Sequence, residues 1–262
     1  MPFHVVVTGA SAGIGAAIAR EYAAQGASLT LVARRRALLE PLAASLAVPT
    51  HVVAADLSDL DNATDWLAEA EAALGPIDVL VNNAGVQIVG PSVDTELAAA
   101  EALLAVDLLA PLRLCLAVLP GMLARRRGCI VNVCSMAALA PTPGMLYYCA
   151  AKGGLASASE ALRGELGRSG VHVLTVYPGP VHSDMEAAAR AKFVPSLLTE
   201  RIPTGDPAVL AARIRRAAER RQARVIYPRF YHLARWFPGV TAWVLARFTP
   251  ALRRELTPPS SD

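Results

Sequence analysis

Seven short apolar runs alternate with longer stretches of helical spacing, and that alternation leaves this chain few ways to fold. The runs cover 3–7, 28–33, 50–54, 77–81, 129–134, 171–177 and 224–227, and helical patterns fall at about 14–25, 35–46, 59–73, 95–124, 147–167 and 206–222. The runs are apolar almost throughout rather than at every second residue. That predicts strands buried on both faces, as in a parallel sheet whose crossovers are helices. No Pro/Gly/Ser-rich linker and no repeat divides the 262 residues. One α/β domain, 1–262, is expected, with about seven parallel strands and helices on both faces. Pro111 lies inside the 95–124 pattern, where a residue without an N–H predicts a kink or break.

The four cysteines, Cys115, Cys129, Cys134 and Cys149, have no metal-ligand or C-x-x-C spacing and follow no signal-like segment. A reducing, cytoplasmic setting is expected. The net charge of +3 conceals an asymmetry, because residues 213–254 carry eleven arginines against the single acid Glu219. Their +10 leaves −7 for the remainder. Such a split points to a tail that meets an anionic surface.

After the first strand comes Thr8-Gly9-Ala10-Ser11-Ala12-Gly13-Ile14-Gly15 and then an alanine-rich helix. Glycines there let the backbone turn tightly and approach a pyrophosphate, which the helix N-terminus attracts. The same residues read formally as the G-x-S-x-G elbow of serine hydrolases, with Ser11 as nucleophile. Only one strand precedes the loop, so no upstream loop supplies a second oxyanion donor, and Gly15 has no role in that reading. Further along, Lys152 follows Tyr148 by four residues, in a chain with only two lysines among its 25 cationic side chains. An i, i+4 pair shares a helix face. An ammonium beside a phenol favours the phenolate and draws its pKa toward working pH, as acid–base chemistry requires.

Taken in order, T-G-x-x-x-G-I-G, Asn82-Asn83-Ala84-Gly85, Ser135 and the Tyr148/Lys152 pair thirteen residues later resemble the short-chain dehydrogenase/reductase family, compact branch. The resemblance runs from Val5 to about Met185 and implies a Rossmann-type doubly wound domain binding a nicotinamide dinucleotide. It implies Tyr148 as the acid that protonates a substrate carbonyl, Ser135 as donor to that oxygen, and Lys152 as the group that tunes the phenol and bonds the nicotinamide ribose. Asp107 stands where the family usually has asparagine, thought to hold a water through its main-chain carbonyl in a relay ending at the lysine. A carboxylate there loses the amide donor and is able to pair with Lys152, which puts the relay in doubt. The cofactor site implied is Gly9, Ser11, Gly13, Ile14 and Gly15 at the pyrophosphate, Asp56 and Leu57 near the adenine, and Asn83 with Gly85 beside the adenosine. Tyr148 and Lys152 also belong to it, and so do Pro178, Gly179, Val181 and Ser183. Ser183 replaces a family threonine and keeps its hydroxyl for the nicotinamide amide.

The second strand ends in Leu31-Val32-Ala33-Arg34-Arg35-Arg36, without the acid that accepts from an NAD ribose. Guanidinium groups suit a 2′-phosphate, so NADP(H) is expected over NAD(H), with Arg34 and Arg35 as contacts and Arg36 solvated. His182 is read as a loop histidine. The segment 183–205, through Phe193, Pro195, Leu197, Leu198 and Ile202, corresponds to the family's substrate loop, and its apolar residues favour a hydrophobic carbonyl or secondary alcohol. The basic, aromatic segment 229–254 is read either as a peripheral membrane contact or as a cap on the core or a partner subunit. A homodimer or homotetramer is expected, and no nucleic-acid partner. Two other functions stay open: an NADP(H) sensor or scaffold with little turnover, and the hydrolase using Ser11.

Overall fold

The computed structural model describes residues 3–194 and 204–228, with scattered positions between 231 and 252. Seven strands form: β1 (His4–Thr8), β2 (Ser28–Ala33), β3 (Thr50–Ala54), β4 (Ile77–Asn82), β5 (Gly128–Val133), β6 (Val171–Pro178) and β7 (Arg224–Tyr227). All pair in parallel, in the order β3-β2-β1-β4-β5-β6-β7. The helices are α1 (Gly13–Ala23), α2 (Arg36–Ala44), α3 (Trp66–Leu74), α4 (Leu97–Leu104), α5 (Ala110–Ala124), α6 (Leu146–Leu166), α7 (Asp184–Ala191) and α8 (Pro207–Glu219).

Side chains alternate across the sheet. Val5, Val7, Leu29 and Leu31 pack with α1, α2 and α8, whereas Val6, Val32, Leu80 and Ile130 pack on the face that holds α3, α5 and Leu166 of α6. Both faces are thus dry, which is why the strand runs lack polar alternation. Polar residues inside are joined: the Asn82 amide donates to Asn132 (2.8 Å), whose own amide donates to Ser159 of α6 (2.8 Å). That chain fixes β4, β5 and α6 relative to one another.

A π-turn over 105–109 joins α4 to α5, and the helix runs on through it. Pro111 has no N–H to give the carbonyl of Asp107 four residues back, so the kink read from sequence takes the form of a widened turn. The combined helix, Leu97–Ala124, is long and apolar enough to span a membrane. Leu103, Ala110, Leu114 and Met122 are instead fully buried within the domain, which accounts for that apolarity.

Two boundaries differ from the sequence pattern. The pattern at 59–73 becomes a helix only from Trp66, because the Asp56 carboxylate accepts from the Ser58 N–H and hydroxyl, and Asn62 donates to Asp59, which favours turns. Helix α7 arises where a loop was expected, started by the Ser183 hydroxyl accepting from the Glu186 N–H (3.2 Å). The loop residues Pro195, Leu197, Leu198 and Ile202 lie outside the described residues.

Candidate active site

Strand order reverses between β1 and β4, and the loops leaving the carboxyl ends of β1, β4, β5 and β6 meet around one crevice. The first of these carries the glycines. Gly9 has φ +65°, and a Cβ on it would lie 2.8 Å from the Ala84 Cα. A Cβ on Gly15 would lie 2.2 Å from the Gly9 carbonyl oxygen, so the turn closes only with hydrogen at both positions. Thr8 ties this loop to the next: its hydroxyl donates to the Val81 carbonyl and accepts from the N–H groups of Asn83 and Ala84, both at 3.0 Å. The Asn83 amide donates to the Thr8 carbonyl (3.0 Å). Asn83 therefore braces the glycine loop besides lining the crevice.

Ser135 follows β5 by two residues in extended backbone, and its Oγ accepts from the Ala137 N–H (3.1 Å). Tyr148 and Lys152 sit one turn apart on α6, both buried, with the ammonium 5.9 Å from the phenol ring centre. The Ser135 hydroxyl stands close enough to the Tyr148 hydroxyl to favour its ionised form. Lys152 Nζ donates to the Val133 carbonyl (3.3 Å) and lies 3.2 Å from Asp107 Oδ2. Asp107 is fully buried at the π-turn, and its Oδ1 accepts from the Val86 N–H at 2.7 Å.

The electrostatics depart from expectation. Burial pushes the Tyr148 phenol up by more than Lys152 lowers it, and Asp107 adds to the rise. Lys152 alone was expected to bring the phenol down, but the burial of the helix face and the carboxylate at 107 reverse the net sign. Burial would push the Lys152 ammonium down, yet Asp107, Tyr148 and Cys134 together more than offset it and the ammonium is held above its usual range.

All these groups line one cavity of about 690 Å³. At one end lie Gly9, Ser11, Gly13, Ile14, Arg34, Arg35, Asp56 and Leu57. The middle holds Asn83, Gly85, Asp107, Ser135, Tyr148 and Lys152, with Pro178, Gly179, Val181 and Ser183 beyond them. Gly15 is covered by Gly9 and does not face the cavity. Arg36 points away, bonding the Val52 carbonyl and pairing with Glu40 in the open. The apolar end is walled by Val86, Ala140, Met145, Met185 and Phe193, and by Tyr231, Thr241 and Thr249 of the C-terminal segment. Tyr231 is one of the aromatic residues that mark the C-terminal segment in the sequence, but its place at the cavity, like those of Thr241 and Thr249, follows only from the long-range return of the chain. Gly179 lies against the Tyr231 ring, and the Val194 N–H donates to the Ala251 carbonyl (2.9 Å).

The spread of the lining, from the tips of β2 and β3 to those of β5 and β6, and the donor set fit a dinucleotide. Glycine-loop backbone and the start of α1 face where phosphates belong, and the guanidinium groups stand at the adenosine end. No histidine hydrogen-bonds Ser11 among the described residues, so nothing there activates it as a nucleophile. The family model described as short chain dehydrogenase matches residues 3–193. The chain belongs to the short-chain dehydrogenase family. As a member of that family it is an NAD(P)-dependent oxidoreductase, which leaves the hydrolase reading without support.

Relatives agree with this short-chain dehydrogenase assignment. A short chain dehydrogenase of Pseudocercospora fijiensis is 36% identical over 190 residues, 70% of this chain and 60% of the longer relative. A short-chain dehydrogenase from Sphingobium yanoikuyae, solved in complex with NADPH, superposes with a TM-score of 0.79 at 29% identity, covering 97% of this chain and 99% of that one. A bulky-bulky ketone specific alcohol dehydrogenase from Comamonas testosteroni gives a TM-score of 0.74 at 28% identity, covering 92% and 94%.

Proposed function

We propose that this short-chain dehydrogenase uses NADP(H) to interconvert a hydrophobic ketone or aldehyde and its alcohol. The observation that carries the proposal is the single cavity: two arginines at its adenosine end, Ser135, Tyr148 and Lys152 at its middle, and an apolar end beyond them. When bound, the nicotinamide supplies or accepts hydride. In reduction Tyr148 gives its phenolic proton to the carbonyl oxygen, and the Ser135 hydroxyl donates to the same oxygen as charge develops. Lys152 holds positive charge beside the phenolate that remains. The apolar walls from Met145, Met185, Phe193 and Tyr231 suit an apolar substrate. The likeness to a protein solved with NADPH and to one specific for bulky ketones supports the cofactor and the substrate class.

Arg34 and Arg35 both border the cavity, and the described residues at the tip of β2 include no acid to accept from a ribose hydroxyl. Fluorescence titration should therefore show tighter binding of NADPH than NADH. Replacing both arginines, Arg34→Ala with Arg35→Ala, should weaken NADPH and spare NADH. Tighter binding of NADH by the unaltered protein would overturn the cofactor assignment.

The proposal extends to location. Trp236, Phe237, Val240 and Trp243 are exposed, in a segment whose residues 229–254 include five arginines and no acid. Aromatic groups beside arginines suit the interface of an anionic membrane. Arg229, Phe230, Arg235, Phe248, Arg253 and Arg254 lie outside the described residues.

A further inference from the structure

Asp107 is a buried carboxylate with a single cationic partner among the described residues. Its Oδ1 is occupied by the Val86 N–H, and among the described residues its Oδ2 has no hydrogen-bond donor apart from the ion pair with Lys152 at 3.2 Å. Gly85 covers the pair closely, since a Cβ there would lie 3.1 Å from Oδ2 and 3.3 Å from Nζ. On its other side the ammonium donates to the Val133 carbonyl. Lys152 is therefore held from two directions, and its charge is matched within the protein before it can act on Tyr148. Four titratable groups face one another here: Asp107, Lys152, Tyr148 and Cys134. The Cys134 thiol is pushed up to about 12 by burial and stays neutral. Burial pushes the Asp107 carboxyl up while Lys152 and the Val86 N–H pull it down, and the 3.2 Å contact is where carboxylate and ammonium stabilise each other beside the phenol.

We propose that Asp107 is a positioning residue that fixes the Lys152 ammonium and cancels much of its field at Tyr148, so that the site keeps its phenolic proton and is set for carbonyl reduction near neutral pH. The inference rests on the oxidoreductase reading above for its functional part, and on the geometry alone for its electrostatic part. In reduction the O–H bond of Tyr148 breaks as the substrate oxygen takes the proton, and solvent returns one to the phenolate. In oxidation the phenolate takes the hydroxyl proton from the alcohol. The equilibrium between substrate and product is untouched. What Asp107 sets is the pH at which each direction finds Tyr148 in the form it needs. With the pair intact, the phenolate needed for oxidation accumulates only at more alkaline pH.

The test is Asp107→Asn, which keeps an acceptor for the Val86 N–H and removes only the charge. The first readout is ultraviolet titration of tyrosinate in the cofactor-free protein, with Tyr148→Phe as the subtracted reference. The midpoint assigned to Tyr148 should fall by roughly 1–3 units in Asp107→Asn, the size of shift an unopposed neighbouring charge produces. The second readout is the pH profile of kcat, whose rising limb for alcohol oxidation should move to lower pH by a similar amount. A merely structural role would change the melting temperature and leave both midpoints in place. Asp107→Ser, which leaves space in place of the amide, gives the same reading if the asparagine variant does not fold. An unchanged or raised Tyr148 midpoint in a folded variant overturns the inference. The spectroscopic titration needs no substrate, so a lowered midpoint in a protein that turns nothing over would support the pair while refuting the proposed function.

Discussion

Tyr148 illustrates how far a single residue's chemistry depends on its surroundings. The Y-x-x-x-K spacing identified the phenol and the ammonium correctly as neighbours on one helix face, but it carried no information on burial or on the carboxylate that reaches them from the π-turn. Asp107 was legible as an unusual residue. Its contact with Lys152 was a possibility until the fold brought α6 and residues 105–109 together. The pair also makes a prediction about stability. Lys152→Met leaves a fully buried carboxylate without its cation, and denaturant unfolding should show a loss of about 3–5 kcal/mol. Adding Asp107→Asn should recover much of that loss. A double variant no more stable than the single one would show that the two groups are not energetically coupled.

At the scale of elements, the seven strands were readable because each is dry on both faces and therefore apolar along its length. Helix α7 was not, since an apolar loop was expected where Ser183 in fact caps an alanine-rich turn, a local signal that the resemblance obscured. The early start assigned to α3 failed for a similar reason, with side chain–backbone bonds at Asp56 and Asp59 competing against the helix. His4 was passed over entirely. It lies fully buried in β1, where Nδ1 donates to the Gly75 carbonyl (2.7 Å) and Nε2 accepts from the Thr30 hydroxyl (2.9 Å), tying three segments together. Burial lowers its pKa against the raising effects of Gly75 and Asp78. A group lowered on folding contributes stability that is present above its unfolded value, about 6.5, and is lost as pH falls toward the folded value. His172 is lowered in the same way. Thermal melts should therefore show stability declining below about pH 6.5, before the carboxylates titrate. His4→Gln should flatten that part of the profile, and an identical slope in the variant would exclude His4 as a source.

For the whole molecule, the sheet order creates the crevice, and the C-terminal segment returns to wall its apolar end through Tyr231, Thr241 and Thr249. Composition alone marked that segment as basic and aromatic; it could not show that one side of it belongs to the cavity. Two of the three tryptophans, Trp236 and Trp243, are exposed there, while Trp66 is buried in the core. Intrinsic fluorescence is thus a selective probe of the outer side. Vesicles containing phosphatidylglycerol should shift the emission to shorter wavelength, and neutral phosphatidylcholine vesicles should do so less or not at all. No shift with either would contradict the membrane contact while leaving the enzyme assignment intact. A reductase whose acid is Tyr148 must lose turnover, not cofactor binding, when the phenolic hydroxyl is removed. NADPH consumption should be followed across a panel of hydrophobic ketones for the unaltered protein and for Tyr148→Phe. Turnover should fall by roughly 10²–10⁴-fold in the variant while NADPH binding persists, and a Tyr148→Phe protein that reduces the same ketone at the unaltered rate would rule out Tyr148 as the acid.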